Sequence, residues 1–143
     1  MDKQQTAVKD FLMKAYYVDE RINSTLEQVA SLNELAKKAA STVSDMPGSP
    51  NRNIHKTEDI IVKILDLQRE IQGDANELLN LKQVIRRCIK QVEDPECQII
   101  LEERYLRMVK WEQIATTLNM SMRKVFRLHD ETLKKIVIPE SWQ

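Results

Sequence analysis

Eight cations crowd residues 104–135: Arg104, Arg107, Lys110, Arg123, Lys124, Arg127, Lys134 and Lys135. Only Glu112, Asp130 and Glu131 oppose them, a local excess of +5 in a chain whose 22 basic and 22 acidic residues cancel overall. Cations at that density neutralise phosphates, and an arginine fork can also read guanine O6 and N7 in the DNA major groove. Overall neutrality does not argue against such a partner, because the total hides where the charge lies.

Other chemistries find no comparable cluster. Cys88 and Cys97 are nine residues apart, and His55 and His129 are far from each other in sequence. Compact metal sites use closer pairs such as CxxC or HxxxH. No metal or cofactor is therefore expected, and both cysteines read as reduced thiols, Cys88 packing as a small apolar residue. There is no glycine-rich phosphate loop, no nucleophile elbow and no HExxH motif. Glu102-Glu103 and Asp130-Glu131 are adjacent on helices and point to different faces, which does not build a shared acid–base site. No catalytic residue is assigned, and the chain reads as a binding protein and not an enzyme.

The elements that must position the cations read as helices. Two glycines and four prolines in 143 residues leave little turn chemistry, and that composition belongs to an all-α chain. Residues 95–143 form one block, in which 95–138 split into three helical segments, about Pro95–Leu106, near Trp111 to Leu118, and Ser121 to about Val137. The tight link between the last two is the informative part. Ile114 and Leu118 point into a small core, and Ala115 must be small where the next helix crosses it. Asn119 stands where the chain needs positive φ, which asparagine tolerates well. Met120 plugs the core from the turn, Ser121 caps the last helix, and Val125 with Leu128 closes the core. This is the helix-turn-helix pattern. Trp111 reads as a core residue, and His129 as a histidine that hydrogen-bonds locally or to phosphate.

Residues 1–94 form a separate block, read as a long antiparallel helical hairpin with a loop at 45–56. One seam runs Phe11, Ala15, Val18, Ile22, Thr25, Val29, Leu32, Ala36, Ala39, Val43. The other runs Ile60, Ile64, Leu67, Ile71, Asp74, Leu78, Leu81, Ile85, Cys88, Val92. Both alternate steps of four and three, the heptad spacing that keeps one stripe on a partner helix. Asp45-Met46-Pro47-Gly48-Ser49-Pro50 interrupts the helix, and Thr57 reads as the N-cap of the second one. Gly73 and Asp74 weaken its middle. Leu12, Tyr16, Leu26, Leu35, Ile61, Leu65, Leu79 and Ile89 lie off the seams, and burial against the last block or a second subunit is expected for them.

The segment Trp111–Ile136 resembles region 4 of bacterial sigma factors. The matching residues are Ile114-Ala115, Leu118-Asn119-Met120-Ser121, Val125 and His129, with Asn119 replacing the usual glycine. With the Asp45–Pro50 loop and the following Asn51-Arg52, nearly the whole chain resembles small transcriptional regulators of phages and integrated mobile elements of Gram-positive bacteria. The resemblance implies regulation of phage or element transcription, often of late genes, with RNA polymerase as a partner.

The expected function is therefore sequence-specific binding of double-stranded DNA, most simply as an activator acting with RNA polymerase. Arg123 or Arg127 is expected to fork to a guanine, and Met122 either to touch a thymine methyl or simply to be exposed. Lys124, Lys110 and Arg107, with the amino end of the helix at Ser121, are expected to take phosphates. One module of this size binds weakly, so a homodimer through the hairpin is expected. Two rivals share the pattern: a module that binds RNA polymerase or a host factor without DNA, and a DNA-packaging recognition subunit. No apolar run approaches the ~20 residues that span a bilayer, and Met1 opens no signal peptide, so no membrane partner and a cytoplasmic location are expected.

Overall fold

The structure, a computed structural model, describes residues 1–45 and 50–143, with the side chains of 42–54 left aside. It is all-α: among the described residues there are helices and no strand. Helix α1 spans Lys3–Asp45 and α2 spans Pro50–Lys90. A capping box starts α1. The Asp2 carboxylate accepts from the Gln5 N–H, and the Gln5 side-chain oxygen accepts from the Asp2 N–H, both at 2.8 Å.

Helix α2 begins at Pro50, seven residues before the expected N-cap at Thr57, so the loop at 45–56 is shorter than predicted. Proline serves well at the first helical position, where its missing N–H would have had no partner. Beyond Pro50 nothing in Asn51–Lys56 breaks a helix. The middle of the predicted loop, residues 46–49, and Val43 of the first seam lie outside the described residues and side chains. Gly73 interrupts nothing: α2 runs through it without a break.

The chain divides into two compact units, and the division runs through both long helices. One is residues 19–77, an antiparallel pair formed by α1 and α2. Arg21 fixes the register by reaching Asp74 at 3.0 Å and Glu77 at 3.1 Å. The seams are what this pair buries: Thr25, Val29 and Ile60 fully, Ile22, Leu32, Ile64, Leu67 and Ile71 in part. Thr25 fits an apolar stripe because its hydroxyl donates to the Arg21 carbonyl one turn back, at 2.9 Å. Asp74 is satisfied there by Arg21, whose guanidinium is held above its ordinary pKa by that hydrogen bond and charge. Off the seam, Leu26, Leu35, Ile61 and Leu65 remain exposed, so the expected burial against another element of the chain does not occur for them.

The second unit joins Met1–Val18 to Leu78–Gln143. Here the off-seam residues Leu12 and Ile89 are fully buried, as are Val8, Phe11, Leu81, Ile85, Leu101 and Leu133, whereas the off-seam Tyr16 and Leu79 stay exposed. Both cysteines are buried and unpaired, and burial pushes the Cys88 thiol up. Helix α3, Pro95–Leu101, starts as expected: Asp94 accepts from the N–H groups of Glu96 and Cys97, with Pro95 at the first position. It does not continue as an α-helix to Leu106. Glu102–Leu106 is a π-helical turn, in which the Glu102 carbonyl accepts from Arg107 at 3.1 Å and the Glu103 carbonyl from Val109 at 2.9 Å. Met108, at φ 58°, completes the exit. Helix α4 is Trp111–Leu118 and α5 is Met122–Leu133. The last helix stops four residues short of the expected Val137. The N–H groups of Lys134 and Lys135 close the helix by donating to the carbonyls three residues back, those of Glu131 and Thr132, and the chain turns to bury Ile136.

Candidate nucleic-acid interface

The turn between α4 and α5 is where local chemistry is most specific. Asn119 adopts φ 53° and ψ 48°, the left-handed conformation its position required, and its N–H closes back onto α4. Met120 follows with an N–H bond to the Ala115 carbonyl at 2.9 Å. Ser121 then caps α5, its hydroxyl accepting from the Lys124 N–H at 3.1 Å. Behind the turn, Ile100, Ile114, Ala115 and Val125 form a buried cluster. Trp111, Leu118, Met120, Met122 and Leu128 pack around it. Met122, one of the residues predicted to reach a base, is therefore partly committed to the core.

On α5 the inward stripe is Val125, His129, Thr132 and Leu133, all buried. The opposite face carries Arg123, Lys124 and Arg127, all exposed. Among the described residues none hydrogen-bonds to or pairs with the side chains of these three cations. Lys110 is also exposed and stands at the N-cap of α4, where its carbonyl accepts from Gln113 and Ile114. Its charge adds to the positive end of that helix.

Arg107 is in a different state. Its Nη1 sits 2.7 and 2.8 Å from the two carboxylate oxygens of Glu103, so the residue predicted to take a phosphate already has an anion. Arg104 is likewise engaged: it donates to the Val109 carbonyl at 3.1 Å and its guanidinium lies 4.7 Å from the Trp111 ring centre. It clamps the 107–110 connection against the start of α4, a role no spacing rule would have revealed.

Sequence reasoning also missed how His129 is held. Its Nε2 lies 2.6 Å from the Tyr105 hydroxyl and its Nδ1 lies 2.9 Å from Asp130. A neutral ring with its proton on Nδ1 satisfies both: it donates to the carboxylate and accepts from the phenol. Burial lowers the histidine pKa against the opposing pull of Asp130, and burial also raises that of Tyr105. The Trp111 ring packs at steep angles against His129 and Phe126, with ring centres 5.0 and 5.2 Å apart, which gives Trp111 the packing role expected of it. From the other side, Gln5 of α1 donates to the Asp130 carbonyl at 2.7 Å.

Residues 48–136, more than half of the chain, match the family described as Protein of unknown function (DUF1492). The chain belongs to the DUF1492 family. The DUF1492 match takes in the whole of α2 to α5, the turn at Asn119 and the exposed cations Lys110, Arg123, Lys124 and Arg127. No curated protein and no solved structure matches the chain. Among the described residues of this DUF1492 chain there is no group of acidic, histidine or cysteine side chains fit to hold a metal, and no helix long and apolar enough to cross a membrane.

Proposed function

We propose that this DUF1492 protein is a sequence-specific DNA-binding regulator that lays α5 in the major groove. By the likeness of Trp111–Ile136 to sigma region 4, it acts on transcription of a phage or integrated element together with RNA polymerase. One observation carries the reading: Arg123, Lys124 and Arg127 project, without a partner among the described residues, from a helix whose start is set by the Ser121 cap and whose back is locked by Val125 and His129. A rod held on both counts presents its cations at fixed spacing, which is what base readout needs. Arg123 and Arg127 are the base-reading pair; Lys124 and Lys110 take phosphates. It carries out no catalysis, and it works in the cytoplasm, where its target lies.

The test is a salt titration of duplex binding. With three or four phosphates neutralised, the log–log slope should be roughly −3 to −4. Arg123→Ala with Arg127→Ala should lose preference for the selected sequence, by about 1–3 kcal/mol for each base no longer read. A flat salt response with retained binding to RNA polymerase would instead support the protein-only module.

A further inference from the structure

The two flanks of the 19–77 hairpin differ in a way that its seams do not explain. In an antiparallel pair the e positions of the two heptads share one flank and the g positions the other. The g flank is charged. There Arg21 meets Glu77 and Asp74, and an open groove of about 670 Å³ is lined by Ser24, Gln28, Leu32, Lys63, Asp66 and Leu67.

The e flank carries charge only at its ends, Asp19, Lys37 and Glu58, and none between them. The register set by Arg21 brings Leu26 level with Gln68, and Asn33 level with Ile61. Between those rungs lie Ala30 and Leu65, and one turn beyond them Asn23 and Gln72. All eight are exposed, with Ile61 at 47%, Leu65 at 48% and Leu26 at 49%. In a chain of which 31% is charged, eight successive surface positions without one charge mark depletion of the kind found at the centre of protein interfaces. Single exposed leucines need no explanation; a neutral flank on an otherwise charged hairpin does.

We infer that this flank docks against the same flank of a second copy of the chain. Three features favour a copy over a foreign partner. A two-fold interface sets a patch against itself, so any charge near its middle would face its own kind; here there is none. The amides of Asn23, Asn33, Gln68 and Gln72 both donate and accept, so each finds a match in an identical surface. The bordering charges also suit either direction of pairing. With the copies antiparallel, Asp19 of one comes to Lys37 of the other; with them parallel, Lys37 comes to Glu58; in either case Lys37 exchanges its 3.5 Å contact with Glu34 for one across the interface. The flank extends about 17 Å along α2 and is two helices wide, so pairing removes on the order of 1,000 Å² in total. That is the lower limit of specific association, and the dimer dissociates on dilution into the micromolar range.

Light scattering and sedimentation of the full chain, without DNA, between about 1 and about 100 µM decide the matter. The mass should climb from 16.7 kDa towards twice that value and respond little to salt. Leu26→Glu with Leu65→Glu should stay monomeric with unchanged helicity. Leu35→Glu with Val62→Glu, equally exposed but off this flank, should still dimerise. Mixing the Leu26→Glu/Leu65→Glu chain with a Leu26→Lys/Leu65→Lys chain should restore a dimer, an outcome that misfolded variants could not give. A monomeric wild type, a dimer that survives the flank variant, dissociation by the off-flank pair, or no recovery on mixing would each overturn the proposal. Because DNA is absent from every arm, none of these results bears on the reading of α5.

Discussion

Removing one oxygen from beside α5 should be felt across the unit that holds it. Tyr105→Phe deletes the hydroxyl that meets His129 Nε2 at 2.6 Å. Both residues are 3% exposed, so water cannot take its place. A buried acceptor left without a donor costs about 1–3 kcal/mol, which for a chain of this size lowers the thermal midpoint by about 3–10 °C. His129→Leu strands the phenol in turn and removes the ring from the edge of Trp111, at a cost of about 2–4 kcal/mol. The double variant strands neither partner, so its cost should fall short of the sum by about 1–2 kcal/mol. Urea unfolding of the four proteins at a pH where His129 is neutral in folded and unfolded chains alike measures that coupling. Costs that add to within about 0.5 kcal/mol would refute the account of a shared buried bond.

Acidity probes the same histidine. Its folded pKa lies below the ordinary value, so as pH falls below ~6.5 the unfolded chain takes up a proton that the folded chain refuses. Stability is complete above that pH and declines below it, by up to about 1.4 kcal/mol per pH unit, until the folded ring also titrates; thermal melts from pH 8 to 5 should show the decline, and His129→Leu should flatten it. Gly73 has open space where a Cβ would go, so Gly73→Ala should raise stability by about 1 kcal/mol in urea titrations; a drop in stability would mean that the helix needs the glycine. Asn119, at φ 53°, should accept glycine with little change, whereas Asn119→Val should cost about 1–2 kcal/mol or more by the same measurement.

The helical seams were legible because heptad spacing is a property of the chain alone. Every described residue of both stripes is at least half-buried. The fate of the off-seam residues was not. Leu12 and Leu26 occupy the same heptad position, as do Ile89 and Ile61, yet the first of each pair is fully buried and the second about half exposed. What separates them is the local presence of α3 to α5, a tertiary fact that periodicity does not carry. The turn at Asn119 was legible for the opposite reason: positive φ, a small Ala115 and a capping Ser121 are local demands. The start of α2 at Pro50 was not, because proline ends one helix and begins another with equal ease. Nor was the π turn at Glu102–Leu106, which leaves no mark in apolar spacing. The linear charge sum overstated the site, since a sequence does not show which cations already hold an anion or a carbonyl.

That last distinction separates two arginines that composition treats alike. Arg123 has no partner among the described residues, so when it reaches a phosphate the ions condensed on the DNA are released without replacement. Each phosphate neutralised in this way adds about 0.9 to the magnitude of the salt slope. Arg107 must first leave Glu103, to which it is bound at 2.7 and 2.8 Å. The freed carboxylate, only 19% exposed, then gathers cations of its own and offsets the release. Arg107→Ala should therefore leave the salt slope of duplex binding unchanged, whereas Arg123→Ala should lower its magnitude by about 0.9 for each phosphate that the arginine had neutralised. Measured slopes that fell equally in both variants would show that the Glu103 pair opens freely on DNA, and the ranking of cations by their partners in the free protein would fail.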